Sequence, residues 1–345
     1  MLTNVFSLLP EELAKNILFR QPGIPAYRTK QLLFWLYKSF CSEPEKMSNL
    51  PEEYRAFLQS NYSFYLPAIE NKLLAKDGAV KYRLKLEDGK LIESVLIPTE
   101  KKNTLCISTQ VGCAYNCIFC STGKMGFIRN LETQEIIGQV ILAAKEQKDS
   151  GNKKLSNLVL MGMGEPLNNL QKVLAALTIL QSQEGLSFSP RRITVSTCGI
   201  VPGIIALADS GVKTKLALSL NSAIQTKRNQ LMPVSKQYSL IQLKQALLYY
   251  LRKTSFRVTL EYILIPEFNM NSEDLRALRK FTGDLSCKIN FIPYNPGRSS
   301  QFRAPTETEI KNFMSKAQNL PQAITLRKSR GSDIFGACGQ LTDNN

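Results

Sequence analysis

From position 105 onward the chain alternates two kinds of hydrophobic pattern. Short runs rich in β-branched residues fall near 105–110, 157–162, 192–197, 215–220, 257–265, 288–293 and 323–327. Each reads as a short buried strand. Between them apolar residues return every three or four positions, as in Ile136, Ile137, Val140, Ile141 and Ala144, and again in Leu170, Val173, Leu174, Leu177 and Leu180. That spacing lines one face of a helix. Repeated strand and helix units predict an α/β fold with a parallel sheet, because parallel neighbours need a crossover between them. A full or partial barrel and an open doubly wound sheet both fit, and either gathers its chemistry at the carboxyl ends of the strands.

The pattern upstream is different. Residues 1–75 read as a mainly helical accessory domain, with Leu32, Leu33, Leu36 and Tyr37 on one face of a helix within 27–40 and a second amphipathic stretch at 51–58. Strand-like runs at 81–86 and 90–97 flank Asp88-Gly89, a pair suited to the positive dihedrals of a tight turn. Residues 76–100 are therefore expected to form a β-hairpin connection, and 101–345 the main domain and its C-terminal tail.

Composition narrows the partners. The chain has 345 residues and is 43% hydrophobic, enough for a sizeable core, and 44 Lys+Arg against 28 Asp+Glu give a net charge of +16. A field of that sign attracts polyanions, so RNA or DNA is the leading partner, although charge alone reports association rather than function. No apolar run approaches the roughly 20 residues of a membrane span, and Glu11 and Glu12 follow Pro10 where a signal peptide would be basic. The expected location is cytoplasmic, with no membrane partner. There is no histidine, which removes Ser-His and Cys-His triads and the commonest zinc ligand. Eight unevenly spaced cysteines in so long a chain do not resemble a disulfide framework.

Three of those cysteines, Cys113, Cys117 and Cys120, form C-x3-C-x2-C in the segment that follows the first strand of the parallel series. A structural zinc site normally closes with four ligands, and no histidine is available to complete it. A [4Fe-4S] cluster suits three thiolates better, since its fourth iron stays open to a small molecule. A catalytic zinc with three cysteines and an unliganded buried trio are the other readings.

The spacing resembles that of the radical S-adenosylmethionine (SAM) superfamily, in which SAM chelates the open iron. The resemblance narrows through Gln110-Val-Gly-Cys-Ala, Phe119-Cys-Ser-Thr-Gly-Lys-Met-Gly-Phe, Arg129-Asn-Leu, Met161-Gly-Met-Gly-Glu-Pro-Leu-Asn, Arg191-Arg-Ile-Thr-Val-Ser-Thr and Ile334-Phe-Gly-Ala-Cys-Gly-Gln-Leu. Together these resemble the dual-specificity 23S rRNA and tRNA (adenine-C2)-methyltransferases from about Ile24 to Leu341. Phe119-Cys-Ser-Thr-Gly, Gly164-Glu-Pro and Ile292-Pro-Tyr-Asn look like this branch rather than the related enzymes that methylate C8 of the same adenine.

The resemblance implies a partial (βα) radical-SAM barrel and a defined set of residues. Cys113, Cys117 and Cys120 would hold the cluster. Cys338 would take a methyl from one SAM, and a second SAM would supply the radical that converts this S-methyl group to a methylene radical able to add to C2. A Cys106-Cys338 disulfide would then release the base, so two SAM molecules and reduction of the pair are implied per turnover. Glu93 matches the proton acceptor, with direct relay and relay through Cys106 both open. Gly164, Glu165, Ser196, Ser219, Leu220, Asn221 and Asn295 match the SAM-contacting positions. Asn221 stands where the family usually has His, and Ser332-Asp-Ile-Phe replaces a more acidic run.

Implied partners are 23S rRNA, tRNA and a low-potential electron donor, for a chain acting as a monomer. Arg191, Arg192, Arg327, Lys328 and Arg330, with Lys30, Lys38 and Arg55 in the accessory domain, are candidates for phosphate contacts. Cys41, Cys198 and Cys287 are expected to be packing residues, Cys198 the nearest to the site. The competing readings are C8 methylation and a noncatalytic iron-sulfur RNA-binding protein.

Overall fold

A computed structural model describes residues 2–297 and 300–342. Its centre is one ten-stranded sheet in which every strand pairs with its neighbour in sequence. The strands are β1 (Ala68–Leu74), β2 (Val80–Lys85), β3 (Leu91–Pro98), β4 (Asn103–Cys106), β5 (Leu155–Leu160), β6 (Ile193–Thr197), β7 (Lys215–Ser219), β8 (Val258–Leu264), β9 (Cys287–Pro293) and β10 (Ala323–Leu326). Pairing is antiparallel from β1 to β4 and parallel from β4 to β10.

The strand order decides between the two expected architectures. A doubly wound sheet reverses direction at a switch point, whereas here the parallel strands follow one another without reversal. Right-handed crossovers then put the connecting helices on one face and leave the other to line an interior. The result is a partial barrel, open because the antiparallel strands β3 to β1 continue the sheet beyond β4. The sheet's other face packs on the helices, as in the edge-to-face chain Tyr262, Phe291 and Phe313, with centroids 5.6 and 5.3 Å apart and Phe313 on the helix Glu307–Ala317.

The N-terminal region contains helices Pro10–Arg20, Ala26–Tyr37 and Glu52–Asn61. Their inner faces share a core of Leu13, Ile17, Leu32, Leu36 and Leu58, joined by Met47 from the connection between the second and third helices, each fully buried. Lys38 ties this region to the barrel, its Nζ donating to the carbonyl of Gly185 at 2.6 Å. One expectation needs correction. Residues 1–75 are not helical to their end, because Ala68–Leu74 is the edge strand of the main sheet. Its side chains are almost all exposed, so it shows no alternation, and pairing with β2 holds it extended. Charged Glu70 and Lys72 suit an edge that must not recruit another chain.

The strand expected at 105–110 begins and ends earlier, at Asn103–Cys106. Beyond Cys106 the chain turns over the end of the sheet, although the amide of Ile107 still donates to Val159 at 3.0 Å. Residues 110–112 instead pair with 127–130 as a separate two-stranded ribbon that frames the cysteine segment. Among the described residues no helix is long and apolar enough to cross a membrane.

Candidate active site

The carboxyl ends of the parallel strands, the cysteine segment and the C-terminal tail enclose a cleft of about 160 Å³, open to solvent at its mouth. Cys113, Cys117 and Cys120 line one wall, Gly164 and Glu165 come from the end of β5, and Ser196, Ser219 and Asn221 from the ends of β6 and β7. Cys338 completes the lining from the tail.

The cysteine wall is held from both sides. The amide of Ile118 donates to Leu231 at 3.1 Å, and that of Ser121 donates to Gly339 of the tail at 2.7 Å. Gly339 has φ +84, and a Cβ there would come within 3.0 Å of the Phe119 carbonyl, so the tail can lie this close to the cysteine segment only as glycine. Burial pushes the Cys113 thiol up to about 11 and raises Cys117 and Cys120 as well, with the neighbouring thiols adding to the effect.

No three His, Cys, Asp or Glu side chains among the described residues are placed to hold a single metal ion. One zinc would draw its thiolates to roughly 2.3 Å from a common point. A cubane takes one thiolate at each of three separate irons and needs them farther apart around a shared space. Three thiols on one cleft wall, in a chain with no histidine to complete a zinc set, suit the three thiolate-bound irons of a cubane better than a closed zinc site.

Glu165 is 3% exposed and tightly oriented. One carboxylate oxygen accepts from the amide of Cys198 at 2.7 Å and the other from the amide of Leu167 at 3.1 Å. Burial pushes its carboxyl above the usual range and these amides pull it back, leaving a fixed acceptor that an ammonium group would complement. Gly164 beside it has φ +95, and a Cβ would meet Gln110 Cβ at 2.5 Å and its backbone nitrogen at 2.8 Å. Gly164→Ala is accordingly expected to displace Glu165, weaken SAM binding at least tenfold and destabilise the fold by roughly 1–3 kcal/mol, checked by anaerobic calorimetry and thermal unfolding.

The other positions expected to contact SAM divide. Asn221 is 1% exposed and holds φ +57, a left-handed conformation that asparagine tolerates better than most residues. Its Oδ1 accepts from Ile263 at 3.1 Å and its Nδ2 faces Met232 Sδ at 3.3 Å, so only the donor end, on a weak thioether acceptor, is readily redirected to a ligand. Leu220 is buried in the hydrophobic core and does not line the cleft. Asn295 is also outside the lining, its Nδ2 donating to Ser329 Oγ at 2.8 Å.

Cys338 lies where this cleft meets a second cavity lined by Cys106, Met161, Arg327 and Ala337. Both cysteines are free thiols. Burial pushes Cys106 up to about 12, Cys338 adds to the shift and Arg327 opposes it. Arg327, expected as a phosphate contact, thus lies beside the two thiols. Glu93 is 2% exposed and outside the main cleft. Its Oε1 pairs with buried Lys81 at 3.3 Å, and its Oε2 accepts from the backbone amide of Thr342 at 2.8 Å. The tail therefore covers the carboxylate. Cys287 is buried, Cys41 donates to the carbonyl of Glu43 at 3.4 Å, and Cys198 lines the cleft.

Comparison with known proteins accounts for this arrangement. Residues 107–279 match the radical SAM superfamily, and residues 3–63 match the ribosomal RNA large subunit methyltransferase N-terminal domain. The chain is 42% identical to the dual-specificity RNA methyltransferase RlmN of Desulfotalea psychrophila over 92% of this chain and 90% of the relative. It is 43% identical to that of Lawsonia intracellularis, over 91% and 90%. The chain belongs to the RlmN family of radical SAM methyltransferases. The crystal structure of a radical SAM methyltransferase from Sphaerobacter thermophilus superposes with a TM-score of 0.94 at 36% identity, covering 99% of this chain and 100% of that one.

Within the RlmN fold two further residues emerge that the sequence reading did not select. Glu261 of β8 lines the cleft at 6% exposure, with one oxygen taking Asn290 Nδ2 at 3.1 Å and the other lacking any partner. A buried carboxylate oxygen without a donor calls for a ligand hydroxyl or amine. Arg228, behind the cysteine wall, is the other. Glu261 is the one charged residue in the strand Val258–Leu264, and that was the available signal. Arg228 sits in the polar run Gln225-Thr-Lys-Arg-Asn-Gln and gave none.

Proposed function

We propose that this radical SAM methyltransferase adds a methyl group to C2 of adenine in 23S rRNA and in tRNA, using Cys338 as the methyl carrier. The observation that carries the reading is the position of Cys338, shared between the cleft lined by Cys113, Cys117 and Cys120 and the cavity that contains Cys106. The names of its RlmN relatives, dual-specificity RNA methyltransferases, support the substrate class.

Cys113, Cys117 and Cys120 would hold a [4Fe-4S] cluster, and Gly164 and Glu165 the amino group of SAM, with Ser196, Ser219 and Asn221 along its length. So bound, the cluster and SAM supply a carbon radical and a methyl group. C2 of adenine is an electron-poor amidine carbon, mismatched to attack on an electrophilic methyl. Cys338 avoids the mismatch by carrying the carbon as a methyl thioether and presenting it as a methylene radical. Cys106 then pairs with Cys338 as the base is released, and a low-potential donor restores the two thiols. Two SAM molecules are consumed per turnover on this route.

Glu93 is the acceptor for the C2 proton only after the amide of Thr342 withdraws, which ties deprotonation to movement of the tail. Glu261 adds a recognition contact, its unpartnered oxygen accepting from a ribose hydroxyl of SAM. Glu261→Gln is expected to weaken SAM binding by at least tenfold, consistent with the roughly 1.5–3 kcal/mol of a hydrogen bond to a charged group, and anaerobic calorimetry measures it. The charge of +16 suits an RNA substrate.

The test is anaerobic turnover of the reconstituted protein with SAM, reductant and either 23S rRNA fragments or tRNA, followed by nucleoside mass spectrometry. The expected product is 2-methyladenosine in both RNAs. Formation of 8-methyladenosine, or SAM cleavage without any methylated adenosine, would reject the assignment.

A further inference from the structure

Arg228 carries a charge without a counter-ion among the described residues. The helix Gln225–Leu231 follows β7 and packs beneath the cysteine segment, and Arg228 points from it into the interior with 1% of its surface exposed. Its guanidinium donates to the carbonyls of Leu220 at 3.1 Å, Cys198 at 2.7 Å and Ser219 at 3.2 Å. No carboxylate among the described residues forms an ion pair with it. Carbonyl dipoles solvate such a charge but do not neutralise it, and an unpaired ion in the interior is strongly disfavoured.

Arg228 lies toward the thiols of Cys198 and Cys117: its guanidinium bonds the Cys198 carbonyl at 2.7 Å, and the carbonyl of Leu231 in the same helix takes the amide of Ile118, next to Cys117, at 3.1 Å. Cys117 is one of the three residues assigned to the iron-sulfur site. Burial lowers the guanidinium to about 10, and the two thiols oppose that shift. Three thiolates around an iron-sulfur core carry net negative charge, and reduction by one electron increases it. The missing counter-charge and the uncompensated cation therefore lie on opposite sides of one wall.

We propose that Arg228 is the fixed counter-cation of the iron-sulfur site and makes the site easier to reduce, an inference that rests on the ligand assignment above. It is a positioning residue acting through electrostatics and does not touch SAM or RNA. A solely structural Arg228 would fasten the ends of β6 and β7 through the same three carbonyls. That role predicts a change in stability and none in the reduction potential.

The decisive experiment is a redox titration of the reconstituted full-length protein followed by electron paramagnetic resonance, with iron and sulfide measured in the same samples. Arg228→Met removes the charge with a residue of similar length, and Arg228→Gln is a second neutral variant should the first fold poorly. Arg228→Lys keeps the charge. The neutral variants are expected to have a more negative midpoint, with the reduced-to-oxidised ratio at fixed poise down on the order of tenfold, or about 59 mV for one electron. Arg228→Lys should recover most of the native value. An unchanged midpoint in a neutral variant with full iron content overturns the proposal alone. Absence of iron and sulfide from the reconstituted native protein overturns the ligand assignment, and the proposal with it.

Discussion

Cys338→Ala is expected to abolish methyl transfer to RNA, by at least a thousandfold, while the protein still binds its cluster and still cleaves SAM to 5'-deoxyadenosine. The separation follows from position. Cys338 lines the cleft but belongs to the tail, whereas the residues proposed to hold cluster and SAM come from the cysteine segment and the strand ends. Alanine removes the only atom able to carry the methyl in this account and leaves the tail's neighbouring anchors in place. These are the Gly339 carbonyl on Ser121, Gln340 on the Pro296 carbonyl at 3.0 Å and Leu341 on Thr122 at 3.2 Å. Quantifying methylated adenosine and 5'-deoxyadenosine in one reaction checks both halves. A variant that still methylates RNA at the native rate would remove Cys338 from the mechanism.

Cys106→Ala should fail differently. Methyl loading and addition to C2 require Cys338, but release requires a second sulfur to take its place. Without Cys106, the thioether linking Cys338 to the base has no resolving thiol, and RNA should remain covalently attached to the protein. A shifted band on a denaturing gel, dependent on SAM, reductant and Cys338, is the expected result. Burial holds the Cys106 thiol protonated up to about 12 in this structure, so its attack also needs a base or the nearby cation of Arg327. The change removes only the Cys106 Sγ, a small loss of volume in the core, so the variant is expected to fold.

Much of this architecture was legible from patterning because the central parallel strands are largely buried, and their apolar runs stop near the site. Ile193–Thr197 and Lys215–Ser219 fall close to the expected spans for that reason. Ala68–Leu74 was not legible: it is an exposed edge whose conformation comes from its partner strand rather than from its own composition. Strand β4 ends at Cys106 because a tertiary turn takes over while the sequence remains apolar through Ile107.

The cysteine segment could be read because its members are adjacent in the chain. The meeting of Cys106 with Cys338 could be suggested only by resemblance, since residues so far apart in sequence become neighbours through the fold. Glu93 shows the limit in another way. Its identity as an acid was plain, but its enclosure by Lys81 and by the amide of Thr342 depends on where the tail lies. Asn221 is similar, its amide largely committed to Ile263 and Met232 by a backbone conformation that no spacing rule reveals. Arg228 was hidden because a helix with several polar residues does not announce which one turns inward.

The most direct test of the account is peptide mapping of the Cys106→Ala protein after anaerobic turnover, with both protein and RNA digested before mass spectrometry. The account predicts a tail peptide in which the sulfur of Cys338 bears a methylene joined to C2 of adenosine. Full methylation of the RNA with Cys338 unmodified throughout, and no adduct on any peptide, would contradict it.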